Sequence, residues 1–241
     1  PRVVNSKEKA VSGNPIYVEC LWKIMGYLRN PLASSSITNL NGDFYIIGGW
    51  SFNTELIPAV DSIFLFDPNT GIMNNGYQPN LGAYASFLST SVVYNNEIYI
   101  ISGLKKKGNI DKALVDNILK MNKSGVSNYF SPISISNESY QRGASAFNVV
   151  GDSVFILGGM NKNGDVTSTI LKYNLVSNTW SVEPEILPKS IAYSGFIREG
   201  NYLYIFGGTD NTGEPLDTVY KVNLTNLSDI TLLSNRIKYK R

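Results

Sequence analysis

Val154-Phe155-Ile156-Leu157-Gly158-Gly159 decides how the rest of the chain reads. Four successive apolar side chains leave no polar face, so a strand built from them is buried on both sides. The two glycines then free the backbone for conformations that a β-carbon would penalise. The hexad returns as Phe44-Tyr45-Ile46-Ile47-Gly48-Gly49, Ile98-Tyr99-Ile100-Ile101-Ser102-Gly103 and Leu203-Tyr204-Ile205-Phe206-Gly207-Gly208, its final glycines 54, 56 and 49 residues apart. Self-similarity at that period marks a repeat architecture.

The pattern extends outward from each hexad. Upstream lies a turn (Asn41-Gly42-Asp43, Asn95-Asn96-Glu97, Gly151-Asp152-Ser153, Gly200-Asn201-Tyr202), itself preceded by strand-like stretches such as 89–94 and 144–150. Strand, tight turn and strand make a hairpin. Downstream, after a loop, third strands are expected at 62–66, 117–121, 169–173 and 218–222. They run into Asp67, Asn122, Asn174 and Asn223, whose short polar side chains start turns. A weaker fourth strand is expected near Ile72-Met73, Val126, 180–182 and Ile230-Thr231, while Leu104 through Lys112 reads as a long loop.

The prediction is an all-β chain: a single domain over residues 1–241 with four complete four-stranded units at approximately 30–80, 81–135, 136–188 and 189–235. Residues 14–29 read as one or two strands of a further or closing unit. Small sheets with two apolar faces are stable only when stacked side by side, and arranging them around an axis protects their edges.

These features resemble the Kelch repeat family of β-propellers, whose blades carry a glycine doublet followed by a spaced Tyr and Trp. Unit three fits best, with Gly158-Gly159, Tyr173, Trp180 and then Leu187-Pro188. Unit one substitutes Phe66 and Ile72, unit two has Met121 and the degenerate doublet Ser102-Gly103, and unit four has Val222 and Ile230. The resemblance covers roughly residues 32–233. It implies rings of more than four blades, so a missing chain segment or a partner is expected to complete this one. Trp22, in the role of Trp180, would make 14–29 the end of an incomplete blade.

Composition narrows the chemistry. The 241 residues include no histidine, which removes imidazole metal ligands, Ser-His-Asp triads and the copper site of some Kelch-like propellers. No metal or other cofactor is expected. Cys20 stands alone, so no intrachain disulfide forms and a reducing compartment such as the cytoplasm is permitted. A net charge of +2 and the lack of an apolar run of about 18 residues point away from nucleic acid and from a membrane span. The start at Pro1 has no signal-peptide pattern and reads as the edge of a fragment or a processed chain. Asp61, Asp116 and Asp217 recur before third strands and are expected to accept backbone N–H bonds there.

What remains is a binding surface. Loops on a stiff scaffold are where recognition resides, and Trp, Tyr and Arg dominate interface energetics. The expected contact residues for a protein partner are Trp50, Phe52, Tyr84, Tyr140, Arg142 and Tyr193, with Gly48, Gly49, Gly103, Gly158, Gly159, Gly207 and Gly208 as structural repeat glycines. Binding is expected rather than catalysis. By resemblance, the role is that of a substrate-recognition module, such as a ubiquitin-ligase adaptor. The alternative is a propeller that binds or processes sialic acid, with Arg29, Arg142 and Arg198 as carboxylate clamps.

Overall fold

The computed structural model describes residues 4–9, 15–20, 32–51, 61–77, 81, 84–107, 111–121, 130–234 and 237. Apart from 3-10 turns at Tyr84 and at Glu138–Tyr140, every regular element among them is a strand, and all pairing is antiparallel. Strands β1 (Val4–Lys9) and β2 (Pro15–Cys20) form a two-stranded sheet of their own. The first full sheet runs in chain order from β3 (Ser36–Leu40) through β4 (Asp43–Ile47) and β5 (Ile63–Asp67) to β6 (Ile72–Tyr77). A short β7 (Ser86–Phe87) precedes the second sheet, whose strands are β8 (Thr90–Tyr94), β9 (Glu97–Ile101), β12 (Asn117–Met121) and β13 (Phe130–Ser134). Between β9 and β12 stand β10 (Leu104–Lys107) and β11 (Asp111–Leu114), which make a three-stranded sheet with β7. The third sheet is β14 (Ala146–Val150), β15 (Ser153–Leu157), β16 (Thr169–Asn174) and β17 (Thr179–Ile186). The fourth is β18 (Gly195–Glu199), β19 (Tyr202–Phe206), β20 (Val219–Asn223) and β21 (Ile230–Leu232).

Four four-stranded meanders in the expected order are blades of propeller type. Two local expectations change. The stretch expected to be a loop at 104–112 contains the β10–β11 hairpin, and the fourth strand of the second blade is Phe130–Ser134 rather than near Val126, which lies outside the described residues. The N-terminal segment expected at 14–29 appears as β2, paired with β1, a strand the sequence pattern did not signal; residues 21–29 lie outside the described residues.

The core sits between blades. Tyr45, Ile47 and Ile63 of the first blade pack against Ile98, Ile100, Leu119 and Met121 of the second. Tyr99, Ile101 and Ile118 meet Val154, Ile156, Leu171 and Tyr173 of the third. Phe155, Leu157 and Ile170 meet Leu203, Ile205, Tyr220 and Val222 of the fourth. Each set comes from the second and third strands, where period-2 alternation sends one set of apolar side chains to each neighbour. At about 25 cal/mol per Å² of apolar surface removed from water, these shared clusters dominate the stability of sheets too thin to have a core of their own.

The lysines of the third strands lie along ring faces instead of in the core. Lys120 ion-pairs with Glu97 at 2.8 Å and lies 5.8 Å from the Tyr99 ring centre. Lys172 stands 5.5 Å over Phe155, and Lys221 3.9 Å over Tyr202. Their stems cover apolar surface while the ammonium groups gain cation–π contact.

Two sets of main-chain bonds stitch the blades together. The N–H groups of Gly49, Gly103 and Gly159 donate to the carbonyls of Ser86, Arg142 and Ile191, each at the entrance of the following blade, at 2.8, 2.7 and 2.7 Å. At the entrances to the inner strands, Leu88 N–H donates to Ser34 C=O at 2.9 Å, Ala144 N–H to Leu88 C=O at 3.3 Å, and Tyr193 N–H to Ala144 C=O at 2.9 Å. All four of these residues hold φ between 52° and 57°, left-handed conformations that cost about 1–2 kcal/mol without glycine. The repeat glycines are needed at this seam. A β-carbon on Gly48 would lie 2.3 Å from Ser86 O, and one on Gly159 would lie 2.0 Å from Ser145 Oγ and 2.7 Å from Gly143 O.

The backbone carbonyls of the recurring aspartates accept main-chain bonds from the segment that follows the fourth strand. Leu81 N–H, Ile135 N–H and Ile237 N–H bond to the backbone carbonyls of Asp61, Asp116 and Asp217, and Leu187 N–H makes the equivalent bond to Ser168. The Asp116 carboxylate meanwhile ion-pairs with Lys105 at 2.6 Å.

Candidate functional site

The residue after each of the first three doublets sets the floor of a depression on one face. Trp50 and Leu104 follow the first and second doublets, and Met160 follows the third. The Trp50 ring meets Phe87 edge-on, with centroids 5.8 Å apart. Phe87, Leu104 and Leu114 form a buried cluster with Trp50, Leu88 and Met160 packed on it. Tyr193 closes one side, its hydroxyl 3.2 Å from Met160 Sδ and its ring about half exposed at 49%. The resulting bowl encloses about 400 Å³ and is rimmed by Ser34, Asn161, Lys162 and Gly164. Its base is held by the β10–β11 hairpin, which is bonded to β7, and Lys105 of that hairpin ion-pairs with Asp116. Apolar and aromatic groups line it, with one ammonium at the rim.

Adjoining the bowl, and sharing Ser34, Leu88 and Tyr193 with it, is a cavity of about 500 Å³ lined by the entrances to the inner strands of the four blades. Its wall carries the hydroxyl residues Ser34, Ser35, Ser36, Ser89, Ser91, Ser145 and Ser194, together with Phe147, Phe196 and Tyr193. Ser36 Oγ and Ser91 Oγ are hydrogen-bonded at 2.5 Å across the first two blades, and Ser145 Oγ donates to Gly158 O at 3.3 Å. Among the described residues the buried Oγ atoms of Ser35 and Ser194 have no hydrogen-bond partner, which costs about 1–3 kcal/mol per group unless a ligand or water supplies one. Tyr193 is the ionisable residue of this wall, and burial raises its pKa, so it stays a neutral donor at neutral pH.

The residues expected from sequence divide into two groups. Trp50 and Tyr193 meet at the bowl. Tyr84 instead packs on the cluster between the first and second blades, and Tyr140 stacks on Trp180 at 5.4 Å with ring planes 7° apart, between the second and third. The Arg142 guanidinium is buried and committed within the chain, donating to Ser139 O and Gln141 O at 2.8 Å and to Thr169 Oγ1 at 3.0 Å. Burial lowers its pKa, and its Nε has no partner among the described residues. Arg198 donates to Gly200 O, Val149 O and Asn148 Oδ1, so both described arginines of the expected carboxylate clamp already serve the main chain. Phe52 and Arg29 lie outside the described residues. The repeat glycines stand at the blade seams.

Sequence reasoning missed Met160, Leu104, Leu114 and the serine wall. Leu104 and Met160 do carry a signal, since each follows a doublet as Trp50 does. The serines carry one too: Ser35, Ser89, Ser145 and Ser194 share one position of the repeat.

Comparison with known proteins agrees with this geometry. Residues 141–186 match the family model described as the Kelch motif, in the third repeat. Alpha-scruin of Limulus polyphemus is 28% identical over 147 residues, covering 58% of this chain and 15% of that protein's length. With the fourfold reiteration of doublet and blade, these matches support the resemblance of the chain to Kelch-repeat propellers. In fold it is similar to the solved structure of YjhT, with a TM-score of 0.64, 12% identity, and coverage of 91% of this chain and 88% of that one.

That likeness corrects one expectation. Binding rather than catalysis was expected partly because the repeats read as a plain display scaffold. A fold shared with YjhT over 91% of this chain does not separate display from catalysis, so the expectation against catalysis is withdrawn.

Proposed function

We propose that this chain is a propeller module that recognises a protein partner by taking an apolar or aromatic side chain into the bowl of Trp50, Leu104, Met160 and Tyr193. The observation that carries the reading is the bowl itself: large apolar side chains around an open concavity on a floor braced by main-chain bonds. A preorganised apolar pocket with a polar rim is the form that interface hot spots take. Lys162, on the rim, is paired with Glu138 and so adds little net charge. The adaptor role implied by the family resemblance is one use of such a face.

The test is panning of a random peptide library on the folded chain, followed by titration of enriched peptides against Trp50→Ala. Support requires peptides with an apolar or aromatic anchor whose affinity falls at least about tenfold in the variant. Peptides that bind both proteins equally would refute the site.

A second reading rests on the serine-lined cavity. Hydroxyls beside the rings of Phe147, Phe196 and Tyr193 suit a saccharide, whose C–H faces stack on rings while its hydroxyls exchange hydrogen bonds. Ser35 Oγ and Ser194 Oγ would supply the first bonds. Calorimetric titration with sialic acid and neutral monosaccharides tests it, with Ser194→Val as the control that should abolish any heat of binding.

A further inference from the structure

We infer that the partner's chain continues from the bowl into a polar groove beside it, where side chains of the 136–139 and 161–163 segments bind its extended main chain. This rests on the bowl reading above and adds a second subsite to it. It also gives the partner a form: an unpaired, extended segment rather than a folded surface.

The groove lies between those two segments and encloses about 630 Å³. No apolar side chain lines it. Asn161 and Lys162 line the bowl as well, so the two concavities adjoin, and a chain anchored in one runs directly into the other.

Bonds within the chain fix both walls. Asn137 Oδ1 accepts from Ser139 N–H and Asn137 C=O from Tyr140 N–H, while Arg142 donates to Ser139 O and Gln141 O. On the other segment, Asn161 Oδ1 accepts from the N–H groups of Asn163 and Asp165, and Asn161 C=O from Gly164 N–H. Lys162 pairs with Glu138 and ties the two segments together.

Those bonds use up the loop main chain and the Asn161 side chain, and they leave other groups spare. Among the described residues, Asn137 Nδ2, the Asn163 side-chain amide and the hydroxyls of Ser136 and Ser139 have no hydrogen-bond partner. Amides and hydroxyls both donate and accept, which is what the successive N–H and C=O groups of an extended peptide require. A folded partner has already paired those groups in its own strands and helices.

Charge adds a preference. Lys162 and Glu138 offset each other, whereas Arg142, only 6% exposed, pairs with no carboxylate among the described residues. Carbonyl and hydroxyl oxygens alone meet its guanidinium. The groove therefore favours further oxygen acceptors, such as peptide carbonyls, over ammonium groups.

Two capped probes test this by NMR on the isotope-labelled full chain. Acetyl-Phe-N-methylamide carries the anchor alone, and acetyl-Ala-Ala-Phe-Ala-Ala-amide adds main chain on both sides of it. Both should shift the Trp50 indole N–H. The long probe should also shift the side-chain amides of Asn137 and Asn163, and bind at least about tenfold more tightly than the short one. Methylating the alanine nitrogens of the long probe should cut that advantage at least about fivefold, and so should Ser139→Ala combined with Asn163→Ala in the protein. A ratio of two probes on the same protein is untouched by partial unfolding. Unmoved Asn137 and Asn163 amides, or an advantage that survives either change, would overturn the groove and leave the bowl standing. A Trp50 indole that neither probe shifts would sink the bowl reading, and the groove with it.

Discussion

Gly159 N–H donates to the carbonyl oxygen of Ile191 at 2.7 Å, while the face where its side chain would stand is filled by Ser145 Oγ. The seam between the third and fourth blades is thus closed from both sides of one residue. Gly159→Ala should therefore cost roughly 2–4 kcal/mol, as a β-carbon meets Gly143 O as well as Ser145 and φ is +88°. Gly151→Ala, with positive φ but open space, should cost only about 1 kcal/mol. Urea denaturation of the two variants measures the difference.

Trp50 and Arg142 should behave oppositely. Trp50→Ala is expected to weaken capture of an apolar-anchored peptide at a smaller cost in stability, since the ring, edge-on to Phe87, is only partly buried. Arg142→Ala removes three donors from carbonyl and hydroxyl acceptors in a buried site and should destabilise by about 2–4 kcal/mol. Circular dichroism melts alongside binding titrations separate the two effects.

Tyr140→Ala should lower stability by roughly 2–3 kcal/mol and leave peptide capture unchanged, because its ring is sandwiched against Trp180 rather than offered to a partner. Loss of capture without loss of stability would place Tyr140 back in the interface.

Tyr173 gives a pH signature. Burial pushes its pKa up to about 12, with the Tyr99 phenol adding a smaller effect, and its hydroxyl donates to Asn178 Oδ1 at 2.8 Å. The unfolded chain releases this proton near pH 10 and the folded one near 12. The contribution is thus full below pH 10 and is lost between 10 and 12, at up to about 1.4 kcal/mol per pH unit. Tyr173→Phe should flatten that part of the stability–pH curve, read from urea midpoints between about pH 8 and 11.5.

The blades were legible because their signal is local. An unbroken apolar run and a glycine doublet report a doubly buried strand wherever they occur. The β10–β11 hairpin was not legible, since Leu104-Lys105-Lys106-Lys107 has no apolar alternation and its pairing with β7 is set by tertiary contact. Pro132 obscured β13, a strand at the sheet edge, where a missing donor is tolerated. The main-chain relay at the inner-strand entrances had no residue-type signature, because Ser34, Leu88, Ala144 and Tyr193 share a conformation and not a chemistry. For the contact residues, Trp50 and Tyr140 look alike in sequence. Only the neighbouring blade determines that one lines an open bowl and the other is covered.

Everything rests on blades standing side by side around an axis, and the Ser36–Ser91 contact probes that most directly, joining two blades through hydroxyls 2.5 Å apart. Ser36→Cys with Ser91→Cys, in a Cys20→Ser background, should close an intramolecular disulfide under mild oxidation, seen by mass spectrometry and as a raised denaturation midpoint. Thiols that stay reduced in the folded monomer, or that link only between molecules, would contradict the stacking.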